Sequence, residues 1–85
     1  MLLLRRAILL QLEAAQPASL PPETLLDGLR LAGYANLNNN RLLTELDYLG
    51  DKQLINRQAA SLDPARLRFR ITAQGRDYLA GEGFA

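Results

Sequence analysis

Residues 36–54, NLNNNRLLTELDYLGDKQL, carry the pattern around which the rest of the chain is organised. The stretch opens on asparagines, whose side chains can cap the exposed N–H groups at the start of a helix. Leu42, Leu43, Leu46 and Leu49 then recur at helical spacing and define an inner, core-facing stripe. Gly50 follows as an exit. A helix is therefore predicted from Asn36 or Asn38 onward, with Asn40, Arg41, Thr44 and Tyr48 on its outer face.

Upstream, Leu25, Leu26, Leu29 and Ala32 predict a shorter helix, entered at Ser19 or at Pro21 and Pro22. Gly33 is its natural stop, and GYAN (33–36) forms a tight break before the asparagine-rich helix. A short helix, a glycine-containing turn and a longer helix make a helix-turn-helix pattern. Further upstream, residues 2–15 are strong helix formers with no breaker before Pro17. On a helical wheel Leu3, Leu4, Ala7, Ile8, Leu10, Leu12, Ala14 and Ala15 form a broad apolar arc. Leu2 and Leu9 fall on the opposite side, among Arg5, Arg6, Glu13 and Gln16. Those two leucines are either simply exposed, which is common, or contacts to a second copy in a homodimer.

Downstream of Gly50 the period changes from helix to alternation. LINRQA (54–59) and RLRFRI (66–71) predict two strands joined by a loop containing Ser61, Asp63 and Pro64. Leu67, Phe69 and Ile71 point one way, and Arg66, Arg68 and Arg70 the other. Thr72 is placed to cap a last helix over 73–80, Gly81 ends it, and 81–85 is expected to be a tail.

The 85 residues fit one domain, and an apolar content of 48% is ample for folding. Cysteine and histidine are both absent. That removes disulfides, thiolate metal sites, the commonest general base and the commonest metal ligand, so no enzyme, metal or cofactor is expected. No run approaches the roughly 18 apolar residues of a membrane span, and the opening helix lacks a cleavage-site context, so a cytoplasmic protein is expected. Net charge is only +1, but residues 57–76 hold five arginines against Asp63 alone. Such a patch is either an electrostatic footprint for nucleic acid or a solvated hairpin face.

The order helix, helix, helix, strand, wing loop, strand, helix resembles the winged helix-turn-helix domain of MarR-, ArsR- and PadR-like bacterial regulators. Residues 42–57, LLTELDYLGDKQLINR, are similar to the stretch in which the recognition helix runs into the first wing strand. Residues 68–81, RFRITAQGRDYLAG, look like the second wing strand with the family's hydrophobic-Thr-x-x-Gly-Arg entry to the last helix. With RRAILLQLEAA (5–15), the whole also looks like short winged-helix proteins of Mu-like prophages. There are departures. Gln53 stands where the family usually places glycine, the Cys and His sensor ligands are missing, and so are the extra dimerisation helices.

The resemblance implies a mainly α fold with a small hairpin, binding double-stranded DNA. Asn38, Asn39, Asn40, Arg41, Thr44 and Tyr48 would meet the major groove or its phosphates, and Arg57, Arg66, Arg68 and Arg70 would hold the backbone. Two counter-readings stand beside this. The asparagines can be a capping and turn cluster only. Glu45 and Asp47, on the flanks of the helix, would repel phosphate, which suits a protein-docking module instead.

Overall fold

The computed structural model describes the backbone of residues 2–60 and 63–81, and the side chains of 3–58 and 67–81. The elements are α1 (Leu2–Ala15), α2 (Pro22–Leu31), α3 (Asn39–Asp51), β1 (Ile55–Ala60), β2 (Asp63–Ile71) and α4 (Ala73–Gly81), in the predicted order. The expected side-chain roles of Leu2 and Arg66, and the tail at 82–85, lie outside the described residues. Among the described residues no helix is long and apolar enough to cross a membrane.

The core is built from one face of every element. Ile8 and Leu12 of α1, Leu25 and Leu29 of α2, Leu42 and Leu46 of α3 and Phe69 of β2 are fully enclosed. Leu79 of α4 closes the cluster. The α1 wheel needs correcting. Leu9, expected among the polar side chains and as a dimer contact, is 0% exposed, whereas Leu3, expected inside, is 67% exposed. The reason is that α1 touches α2, β2 and α4 together. A helix covered on several sides buries an arc wider and differently centred than a single-face wheel assumes.

The hairpin is antiparallel, with Ile55 opposite Ile71, Arg57 opposite Phe69 and Gln58 opposite Arg68. Its second strand starts at Asp63, so Asp63 and Pro64 belong to β2 and not to the loop, and the register shifts between Ala59 and Ala60. Leu20, between α1 and α2, adds a bridge that was not predicted. It exchanges two 2.8 Å backbone bonds with Phe69, N–H to carbonyl in each direction. Pro21 favours this geometry, because a residue preceding proline is pushed into extended conformation.

The base of the hairpin is tied down at the joint between Leu54 and α4. Thr72 donates through Oγ1 to the Gln53 carbonyl at 2.8 Å and accepts from the Gly75 N–H at 3.0 Å, so one hydroxyl caps α4 and closes the strand ends. The Thr72 N–H bonds the Leu54 carbonyl at 3.1 Å. Gln53, at the position where the family usually has glycine, takes the left-handed conformation with φ 63°. Gly75 is buried against the same carbonyl, and a Cβ there would collide with Leu54 O and with Ile71 Cγ1.

Gly75→Ala should therefore force the α4 start away from the hairpin and lower unfolding free energy by about 1–3 kcal/mol, the usual range for overpacking. Urea denaturation checks it. Wild-type stability in that variant would mean that α4 docks more loosely than this contact requires.

Candidate nucleic-acid interface

The turn between α2 and α3 is fixed by its own bonds. Gly33 leaves α2 with φ 117°, the Tyr34 N–H reaches back to Leu29 O at 3.0 Å, and Arg30 Nε donates to Leu37 O at 3.0 Å. Asn38 is the N-cap of α3, and its Oδ1 accepts from the Arg41 N–H at 2.8 Å. The capping explanation thus accounts for Asn38. It does not account for Asn39 and Asn40, which are exposed on the first turn with Arg41 beside them.

Along α3 the exposed residues Asn40, Thr44, Asp47 and Asp51 follow one another at four- and three-residue steps, forming a single outer ridge. Thr44 Oγ1 donates to the Asn40 carbonyl at 3.0 Å, a local bond that orients its side chain along the helix. Tyr48 stands at the edge of this ridge. The guanidinium carbon of Arg5 lies 3.7 Å from its ring centroid, and Lys52 Nζ lies 5.8 Å away. Tyr48 is thus a stacking platform for a cation from α1 as well as a partly exposed surface.

The two acids predicted to flank the helix are placed quite differently. Glu45 is 1% exposed, on the inner side of α3, and Arg5 Nε reaches its Oε2 at 3.1 Å. That hydrogen bond raises the Arg5 guanidinium above its ordinary value, so the partner is a fixed cation. Glu45 cannot repel phosphate as an exposed flank charge would. Asp47 is exposed on the ridge, but Arg57 Nη1 meets its Oδ1 at 2.9 Å, and Arg57 Nη2 lies 3.8 Å from Asp51.

The wing arginines do not form one face. Residues directly opposite in an antiparallel pair point the same way, so Arg57, opposite Phe69, belongs with the apolar face and leans toward α3. It was expected beside Arg68 and Arg70; those two instead share the other face with Gln58 and Asn56. Arg68 is also committed to structure, donating from Nε to Ser19 Oγ at 2.9 Å and from Nη2 to Ser19 O at 2.7 Å. Arg70 is exposed on that face. Among the described residues no group of three or more acids, cysteines or histidines could hold a metal ion.

Three helices, a helix-turn-helix connection, a two-stranded wing and a closing helix constitute a winged helix-turn-helix fold. No protein-family model matches the chain, and no curated protein matches it either. Solved structures of S. aureus MepR share the fold. One MepR variant superposes with a TM-score of 0.74 at 21% identity, over 91% of this chain and 51% of that one. A second variant, bound to an oligodeoxyribonucleotide, gives 0.75 at 21% identity over 89% and 51%. A third, from a multidrug-resistant clinical isolate, gives 0.75 at 22% over 95% and 53%. The chain spans about half the length of these MepR chains.

The Arg5–Glu45 contact carries a stability prediction. Arg5→Met strands a buried carboxylate, whereas Arg5→Met with Glu45→Met removes both charges. Thermal unfolding should place the single variant lowest and return the double variant toward wild type. Equal midpoints for the two would show that the ion pair is not what holds α1 to α3 at this point.

Proposed function

We propose that the protein is a DNA-binding transcriptional regulator without catalytic activity, in which α3 enters the major groove. One observation carries this reading. The first turns of α3 offer Asn39, Asn40, Arg41 and Thr44 on a capped helix end, while the acid that would have opposed phosphate there, Glu45, is turned inward and paired. Asparagine and arginine match the hydrogen-bonding edges of adenine and guanine. The MepR variant solved with an oligodeoxyribonucleotide supports the same use of the fold.

Phosphate contacts fall to Arg66 and Arg70 on the wing, with Arg68 held back by Ser19. The protein is further proposed to act as a homodimer, which would set two α3 helices about one DNA turn apart. A cytoplasmic, prophage-type regulator rests on the sequence resemblance. The protein-docking alternative leans on the low net charge and on Glu45 and Asp47; the two acids support it less once both are ion-paired within the chain.

Fluorescence anisotropy on duplex DNA at several salt concentrations tests the proposal. Wild type should bind with an affinity that falls as salt rises. Arg66→Ala and Arg70→Ala should each reduce the slope of log K against log salt by about 0.9 for a lost phosphate contact. Arg68→Ala should leave the slope near wild type. Absence of salt-dependent binding to any duplex in a randomised pool would reject the proposal.

A further inference from the structure

The ridge of α3 contains an acid at the position where a DNA-facing surface has most reason to avoid one. Asp47 lies in line with Asn40 and Thr44, and its side chain is 70% exposed. An unpaired carboxylate there would oppose phosphates on either side of the groove. The fold brings a cation to it from another element. Arg57 leaves β1 on the side facing α3, and its Nη1 holds Asp47 Oδ1 at 2.9 Å.

Gly50 leaves room beside that guanidinium. A Cβ at Gly50 would stand 3.1 Å from Arg57 Nε and 3.3 Å from Cζ, so the side chain would have to give by a few tenths of an ångström. The arrangement is unlike a stability device, since ion pairs between exposed side chains contribute little to stability. What it does achieve is to fix one carboxylate oxygen and cancel the acid's charge, while the carboxylate as a whole stays open to an incoming donor.

The geometry points to Asp47 as a base-reading residue, accepting a hydrogen bond from the exocyclic amine of a cytosine, with Arg57 as the residue that positions and neutralises it. The inference rests on the proposed entry of α3 into the major groove and adds a specificity that the asparagines alone do not supply. Cytosine presents an N4 amine donor in that groove, and aspartate is an acceptor-only partner for it. Asparagine at the same place would instead suit the donor and acceptor pair of adenine.

Selection from a randomised duplex pool, run in parallel for wild type, Asp47→Asn and Arg57→Met, tests this. Circular dichroism first confirms that each variant is folded. Wild type should select cytosine at one position of each half-site, by roughly tenfold over the other bases. Asp47→Asn should lose that preference or turn it to adenine, and leave the other positions as they were. Arg57→Met should flatten the same position and no other, a readout that a merely structural role would not move. Identical selected sites for wild type and Asp47→Asn would overturn the inference while leaving groove binding intact. Failure of wild type to select any duplex would overturn both.

Discussion

A hairpin of two strands has too few interactions of its own to persist in water, and the architecture is organised around holding this one in place. Phe69 meets the demand on one side by burying its ring in the helical core, and Leu20 pairs with its backbone on the other. At the base, Thr72 joins the end of β2 to the Gln53 carbonyl ahead of β1 and starts α4 with the same hydroxyl. Gly75 lets α4 approach so closely that no larger residue fits beside the Leu54 carbonyl. The hairpin is thus fastened to the connector before α2, to α4 and to the end of α3. That fastening gives Arg57 a defined position over the outer ridge of α3.

The features legible in the sequence are those governed by neighbouring residues. The α3 stripe of Leu42, Leu46 and Leu49, the alternation of Leu67, Phe69 and Ile71, and the Thr72 cap each follow from spacing of a few positions. Gln53 could be marked as unusual because the resemblance places glycine there, and it does adopt the left-handed conformation. The features that were not legible join distant parts of the chain. Arg5 and Glu45 are 40 positions apart, and Ser19 and Arg68 are 49 apart. Nothing local distinguishes Glu45 from an exposed acid, because its burial and its Arg5 partner are set by parts of the chain far from it in sequence. Leu9 is hidden for a similar reason, since a place on a helical wheel says nothing about α2, β2 and α4 covering α1 together.

Strand register is a second source of surprise, and a purely geometric one. Counting arginines along 57–76 suggests a single positive surface, yet a side chain's face is set by its partner across the pair. Arg57 aligns with Phe69, and Arg70 aligns with Asn56, so the cluster divides between two faces. One residue of slip would have reversed each assignment. The patch seen in the sequence is real as composition. It is not one surface in three dimensions.

The charge arrangement bears on how such a domain can be selective. A body with net charge +1 gains little from general attraction to a polyanion. Burying Glu45 with Arg5, and pairing Asp47 with Arg57, removes local repulsion at α3 without making the helix strongly basic. For a helix that enters a groove, this balance lowers affinity for arbitrary sequence, since non-specific binding comes almost entirely from phosphate neutralisation. Discrimination then depends on the base-edge contacts that the ridge can make, and a specificity ratio rises as readily by weakening the non-specific term as by strengthening the specific one. Near-neutrality, which counts against tight binding when total charge alone is considered, is on this physical ground compatible with a selective one.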